Sequence, residues 1–326
     1  MNILITGATG FVGSRLVEKL VKDGHEVTVL SRQASSLANL KDQKVNLCYV
    51  SFTDLEVLKK AALGKEVIFH LAGLINAPRE KVHLYYQANV SITKSLLKAV
   101  DKSVLKAFVY CSSVAVYGKL KKLPTDEKIP PRPDNLYGQT KFEAENICLD
   151  FFSKEDIPGI IVRPTWVYGP RDKRTFKLFK AIKKRIFRVV GQGKVLIHPL
   201  FVDDLVDALK LCAFNEKAMG EIFIVGGEEV VELNTLVNLI ARALDKPLPK
   251  IHIPLKLAKT GAFFLEKPYY LFGKRPPLSQ RGLEFFTRDQ HYDISKAERE
   301  LSFTPNHTLS EGINLTVDWY RKKGWL

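Results

Sequence analysis

Three glycines spaced Gly7-x-x-Gly10-x-x-Gly13 follow the apolar run Asn2-Ile3-Leu4-Ile5 and Thr6, and open onto the helical pattern Leu16, Val17, Leu20, Val21. A strand, a glycine turn and a helix in immediate succession narrow the choice of fold more than any other feature of the chain. Without β-carbons the turn is tight and its backbone can be approached closely, so the first free amides of the helix point outward at the positive end of its dipole. That seat suits a pyrophosphate, and the turn residues Gly7, Thr9, Gly10, Phe11, Val12 and Gly13 become candidates for holding a dinucleotide. The spacing differs from the commoner G-x-G-x-x-G, and three glycines before a helix also make an ordinary turn; the strand-turn-helix setting favours the dinucleotide.

The rest of the first half keeps the same rhythm. Strands are expected at Asn2 to Thr6, Glu26 to Ser31, Val45 to Tyr49, Val67 to His70, Ala107 to Ser112 and Gly159 to Arg163, with helices near Phe11 to Lys22, Asp54 to Ala62, Val82 to Asp101 and Leu136 to Ser153. Alternation of this kind predicts an α/β fold, a Rossmann-type doubly wound parallel sheet with its ligand crevice at the carboxyl ends of the strands. Residues 1–164 are expected to form the dinucleotide-binding domain. After Pro164 the pattern loosens, and 165–326 are expected to form a smaller C-terminal substrate-capping domain, with Phe201 to Phe214 as a segment that can return to the main sheet.

Composition sets limits. The chain has 326 residues, 46% of them hydrophobic, which is enough for a large core. No apolar stretch reaches the length of about eighteen residues that a membrane span needs, and Met1-Asn2 leads straight into the first strand, so a cytoplasmic protein is expected. Cys48, Cys111, Cys148 and Cys212 are isolated and form no metal-ligand pattern; we read them as reduced core residues and expect no metal. A formal charge of +15 favours anionic partners. Nucleic acid is not expected, because no recognisable nucleic-acid-binding motif accompanies the charge.

Tyr137-Gly138-Gln139-Thr140-Lys141 places a phenol and an ammonium one helical turn apart, on one face. The spacing is weak by itself: four Y-x-x-x-K stretches occur, beginning at Tyr117, Tyr137, Tyr270 and Tyr292. Only Tyr137 opens a long helix directly after a strand and its loop. Ser113 stands at the carboxyl end of the fifth strand, where a serine alone would read as a turn former. Next to the glycine turn and the Tyr137/Lys141 helix, it becomes a candidate catalytic residue.

With these residues in view, the chain resembles the extended short-chain dehydrogenase/reductases of the NAD-dependent epimerase/dehydratase superfamily. The resemblance rests on the glycine turn, His70-Leu71-Ala72-Gly73, Asn89-Val90, Ser112-Ser113 with Val116-Tyr117-Gly118, Tyr137-x-x-x-Lys141, Arg163-Pro164 with Val167-Tyr168-Gly169-Pro170, and Phe201-Val202-Asp203-Asp204-Leu205. It implies that Tyr137 exchanges a proton with the substrate oxygen, that Ser113 holds that oxygen, and that Lys141 bonds the nicotinamide ribose. A phenol is a poor base near pH 7, so the neighbouring ammonium is expected to favour its phenolate. The resemblance also places Leu71, Ala72, Gly73, Asn89, Pro164 and Val167 around the cofactor. Asn89 would support a proton path or backbone geometry, or make only a local helix contact. Relatives pair the helices matching Val82 to Asp101 and Leu136 to Ser153, which implies a homodimer.

The second strand ends in Ser31-Arg32 where an NAD-specific site would carry an acid, so NADP(H) is favoured over NAD(H); Arg32 can otherwise stack on adenine or face water. Val114 and Ala115 stand where dehydratases of the superfamily usually carry acids, which disfavours acid-assisted loss of water. Softer likeness to the 3β-hydroxysteroid dehydrogenase and dihydroflavonol reductase-like branch, in Val29-Leu30-Ser31-Arg32 and the tail Tyr292-Asp293-Ile294-Ser295-Lys296-Ala297, implies hydride transfer to or from an alcohol or ketone of a largely apolar small molecule. A nucleotide-sugar epimerase or reductase is the alternative, with Arg171, Arg174, Lys183 and Arg188 as diphosphate contacts. A non-catalytic sensor on the same fold would not need Ser113, Tyr137 and Lys141. Two segments, Lys173 to Arg188 and Ile253 to Phe272, can touch an anionic membrane peripherally or serve as an ordinary domain helix and core.

Overall fold

The computed structural model describes residues 1–51, 54–75, 81–248, 251–271 and 280–326. The chain begins with β1 (Asn2–Thr6), α1 (Phe11–Lys22), β2 (Glu26–Ser31), β3 (Asn46–Tyr49), α2 (Leu55–Ala62) and β4 (Val67–His70). It continues through α3 (Val82–Tyr85), a π-helical stretch (Tyr86–Ser91), α4 (Ile92–Leu97), β5 (Ala107–Cys111), a 3₁₀ turn (Val114–Tyr117), α5 (Leu136–Lys154) and β6 (Gly159–Pro164). Seven parallel strands make the main sheet, in the order β11-β6-β5-β4-β1-β2-β3, where β11 is Ile222–Val225. Strands such as β4 and β6 are buried along their whole length, because helices cover both faces of the sheet; this is why they are apolar apart from His70 and Arg163, whose polar atoms are hydrogen-bonded.

Two layers of core lie on the two sides. On one, Leu16, Val17 and Leu20 of α1 and Leu205, Val206 and Leu209 pack on Ile3, Ile5 and Val109. On the other, Leu58, Leu96, Ala144 and Cys148 pack on Leu4, Ile68 and Phe108. Each large aliphatic side chain buried in this way contributes about 1.5–3 kcal/mol.

Beyond β6 come β7 (Trp166–Tyr168), α6 (Phe176–Lys183), β8 (Val189–Val190), β9 (Leu196–Ile197), β10 (Pro199–Phe201) and α7 (Val202–Ala213). After β11 come β12 (Val231–Glu232), α8 (Leu233–Ala243), β13 (His252–Ile253), α9 (Leu255–Leu271), α10 (Gln280–Leu283), α11 (Ser295–Leu301) and α12 (Leu309–Lys322). A separate core of Phe179, Ile182, Leu236, Ile240, Ile313 and Tyr320 joins α6, α8 and α12.

Three expectations need adjusting. The segment 201–214 reaches the sheet as a helix, α7, whose Asp203 receives two hydrogen bonds from Arg15 of α1 (2.8 and 2.6 Å). The strand that extends the sheet is β11, further along the chain, paired in parallel with β6. The single helix expected over 82–101 ends at Leu97 and carries a π-helical turn in its middle. There the buried Asn89 amide is bonded to the loop at Leu74, and Thr93 donates to the Asn89 carbonyl at 2.7 Å; such side-chain demands commonly accompany a π-turn. Of the Ile253 to Phe272 segment, Phe272 lies outside the described residues, as do Gly273 to Ser279.

Candidate active site

A cleft of about 1230 Å³ runs along the carboxyl ends of the strands. Its floor begins at the glycine turn. Gly7 has φ +72°, and a β-carbon there would stand 2.7 Å from the Leu71 carbonyl and the Ala72 amide nitrogen. A β-carbon on Gly13 would collide with the Gly7 carbonyl. The Thr6 hydroxyl accepts from the Ala72 amide (3.1 Å) and meets His70 Nδ1 at 2.6 Å, so β1, the turn and the loop after β4 are tied together. The first turn of α1 has no acidic side chain to oppose an anion. The glycines thus serve the close packing of the turn on itself and on the loop after β4, at the floor of the cleft.

Gly7, Thr9, Gly10, Phe11, Val12, Gly13, Ser31, Arg32, Leu71, Ala72, Gly73, Pro164 and Val167 all line this cleft, together with Ser113, Tyr137 and Lys141. Ser31 is buried and donates to the carbonyl of Arg32 at 3.2 Å, whereas the Arg32 side chain is exposed. Asn89 does not line the cleft. It is fully buried, with its carbonyl oxygen accepting from the Leu74 amide (2.7 Å) and its amide donating to the Leu74 carbonyl (3.2 Å) and to Thr140 Oγ1 (2.8 Å). It thus clamps the loop after β4 to α5, the helix that carries Tyr137 and Lys141.

The reacting end is assembled by three elements. Asn135 caps α5, accepting from the Gly138 amide at 3.0 Å, so the helix starts at Leu136 and presents Tyr137 and Lys141 on consecutive turns. Ser113, two residues beyond β5, caps the 3₁₀ turn by accepting from the Ala115 amide at 3.2 Å. The Lys141 ammonium donates to the Cys111 carbonyl at 2.6 Å and lies 4.3 Å from the centre of the Tyr110 ring. Burial lowers its pKa from the ordinary lysine value.

Here one expectation fails. The Tyr137 phenol is pushed up to about 12 by burial, with Cys111 adding to the rise, while Arg174 and the Ser113 hydroxyl act in the opposite direction. The ammonium expected to favour the phenolate is instead engaged with the Cys111 carbonyl. Arg174, on the capping side, is the nearby cation that lowers the phenol.

Arg174, one of the four basic residues the sequence offers as diphosphate contacts, lines the cleft. Its companions do not. Arg171 pairs with Glu18 at 3.0 Å and reaches Ser14, fastening the capping part to α1; Lys183 is exposed elsewhere, and Arg188 lines a separate depression. Arg288, which no spacing marked, joins Arg174 on the wall, held by Asp134 (2.6 Å) and Glu284 (3.0 Å). Trp166 and Phe285, with ring centres 6.2 Å apart, add an aromatic surface to the cleft. Of the other tyrosines of the repeated spacing, Tyr117 and Tyr292 are buried with ring centres 6.1 Å apart, Tyr292 also lining the cleft, and the side chain of Tyr270 lies outside the described residues. Among the described residues no group of three or more His, Cys, Asp or Glu is arranged to hold a metal, and no helix is long and apolar enough to cross a membrane.

The chain is similar to several enzymes over nearly its whole length. It is 29% identical to an N-acetyl-alpha-D-glucosaminyl-diphospho-ditrans,octacis-undecaprenol 4-epimerase of Escherichia coli O157:H7, covering 98% of this chain and 95% of the relative. It is 30% identical to a UDP-glucose 4-epimerase of Vibrio cholerae, covering 97% and 94%, and 26% identical to a 3-beta-hydroxysteroid dehydrogenase of Mycolicibacterium neoaurum, covering 98% and 91%. A UDP-glucose 4-epimerase of Thermotoga maritima, solved with UDP-glucose, superposes with a TM-score of 0.81 at 25% identity, over 99% of each chain. The model of the NAD dependent epimerase/dehydratase family matches residues 3–226. With the glycine turn and the Ser113, Tyr137, Lys141 set lining one cleft, the chain belongs to the NAD dependent epimerase/dehydratase family of enzymes.

Proposed function

We propose that the protein inverts C4 of a hexose carried on a diphosphate, with its cofactor retained from one turnover to the next. The reading is carried by Ser113 and Tyr137 lining the same cleft as Arg174 and Arg288. Two guanidinium groups match the oxygens of a diphosphate, and Arg174 also lowers the Tyr137 phenol. Val114 and Ala115, in place of acids, argue against dehydration. The relatives with 4-epimerase names move the weight from an apolar alcohol or ketone, the first expectation, to a sugar.

The chemistry asked of the chain is proton handling. Tyr137, as phenolate, takes the proton of the C4 hydroxyl while Ser113 donates a hydrogen bond to the same oxygen. A nicotinamide held in the cleft by the glycine turn and Lys141 would supply the hydride acceptor and donor that inversion at C4 needs. Tyr137 then returns its proton to the new hydroxyl. Lys141 has two further N–H groups beyond the one engaged by Cys111, enough to hold the cofactor's ribose. The cradle at Gly7 and Gly13 fits the pyrophosphate, and Ser31 with the exposed Arg32 supports NADP(H) over NAD(H).

A homodimer through α3, α4 and α5 belongs to the same reading, supported by the exposed Val82, Tyr86 and Leu149 on that surface. The test is to incubate the protein with UDP-hexoses, UDP-N-acetylhexosamines and a polyprenyl-diphosphate-linked N-acetylhexosamine, following sugar configuration and nicotinamide absorbance together, with Tyr137→Phe as control. Inversion at C4 without net absorbance change is expected. Net cofactor turnover on a steroid or flavonoid ketone, with no sugar inverted, would return the assignment to a reductase.

A further inference from the structure

The exposed apolar surface is gathered in one region. Seven of the eighteen large hydrophobic side chains that stand exposed among the described residues are Ile186 and six between Leu248 and Leu265, where Leu257 is 65% and Phe264 69% accessible. The two stretches are neighbours in space. β8 and β13 pair in parallel, and Arg185, Arg188, Leu248 and Ile251 line one depression at the end of α6. α9 turns Ala258 and Ala262 inward onto Val190 and Leu283, leaving Leu257, Phe263 and Phe264 on its outer side.

Charge follows the same ground. Residues 173–188 carry eight Lys and Arg and no Asp or Glu, and residues 246–265 carry four Lys and no acid. Lys183, Lys184 and Arg185 are exposed at the end of α6, as are Lys256 and Lys259 on α9. Bulky apolar side chains ringed by long cations suit the boundary of a bilayer, where the apolar groups enter the acyl region and the cations reach lipid phosphates. Protein interfaces are depleted in Lys, whereas here several exposed lysines accompany the apolar side chains.

We propose that the end of α6, Leu248 with Ile251, and the outer face of α9 dock the protein on an anionic lipid bilayer. The surface adjoins the active site: Leu283, packed on α9, directly precedes Glu284 and Phe285, which line the cleft. Docking there sets the cleft beside the membrane, so that it receives substrate held at the bilayer surface. That last consequence rests on the proposed epimerisation, whereas the docking does not.

The test is co-sedimentation of the full chain with vesicles of phosphatidylcholine alone or mixed with phosphatidylglycerol, in the absence of substrate, so that its failure leaves the sugar reaction untouched. Binding to the mixed vesicles is expected to exceed binding to the neutral ones by about tenfold and to weaken in high salt. Leu257→Glu with Phe264→Glu, and separately Lys184→Glu with Arg185→Glu, should each abolish it while thermal unfolding and dinucleotide binding stay as in the parent. Equal binding to both vesicle types, no binding, or binding unaffected by either variant would overturn the proposal. So would a dimer that Leu257→Glu with Phe264→Glu converts to monomer, because the face would then belong to a second copy.

Discussion

Arg163 holds Glu145 by two parallel hydrogen bonds, Nε to Oε1 at 3.0 Å and Nη2 to Oε2 at 2.7 Å, with both side chains at least 97% buried. The third donor, Nη1, reaches the Tyr117 hydroxyl at 2.8 Å. The pair thereby joins the end of β6, the middle of α5 and the 3₁₀ turn that Ser113 caps. It braces the elements that carry Ser113 and Tyr137 while bonding to neither. Removing one partner leaves a buried charge unmatched, so Glu145→Ala should lower stability by about 3–5 kcal/mol in chemical denaturation. Glu145→Leu with Arg163→Met should recover most of that loss, yet kcat should stay low because the 3₁₀ turn is no longer anchored; full recovery of kcat would refute the positioning role.

Catalysis should separate by residue. Tyr137→Phe removes the proton carrier and should reduce turnover by about a thousandfold or more while dinucleotide affinity changes little, as titration calorimetry would report. Ser113→Ala should cost about 10²-fold in kcat, the effect of one lost donor at the reacting oxygen. Lys141→Met should weaken dinucleotide binding as well as turnover.

The raised Tyr137 phenol makes a pH prediction. A base pushed up to about 12 is mostly protonated at pH 7, so kcat/KM of the free enzyme should climb with pH through the neutral range. Arg174 lowers that phenol, so Arg174→Gln should shift the rising limb to higher pH. A profile unmoved by this change would remove Arg174 from the electrostatics of the site.

His70 governs acid stability. Both ring nitrogens meet hydroxyls, Thr6 at 2.6 Å and Thr93 at 2.8 Å, and burial lowers its pKa to about 3. The folded protein therefore keeps the ring neutral where the unfolded chain takes up a proton at about 6.5. Stability from this group is full above pH 6.5 and falls as pH drops from there towards 3, by about 2 kcal/mol at pH 5. His70→Gln should flatten this part of the pH dependence in urea denaturation, even though it lowers stability at pH 7.

Arg32→Glu tests the adenosine end. An acid there repels a 2′-phosphate and accepts from a free 2′-hydroxyl, so NADPH affinity should fall by about tenfold or more relative to NADH. Equal losses for the two would remove the case for the phosphate.

Much of this protein could be read from sequence because it is local. The glycine turn, the short apolar strand runs, the period-3.6 helical patterns and the Tyr137/Lys141 spacing depend on neighbours a few residues apart, and α1 spans the very residues its periodicity indicated. The parallel sheet and the cleft at its carboxyl edge arise from alternation of strand and helix. Tertiary structure decided what depends on partners far along the chain. β11 joins the sheet from beyond residue 220, Asn89 turns inward to Leu74 and Thr140 rather than to the cleft, and Lys141 engages the Cys111 carbonyl. Arg171, Arg174 and Arg288 look alike in sequence, yet Glu18 draws the first away, whereas the other two, paired with Asp172 and with Asp134 and Glu284, line the cleft. A charge or amide takes its role from the dielectric and the hydrogen-bond partners around it, and those are set only when distant segments pack together.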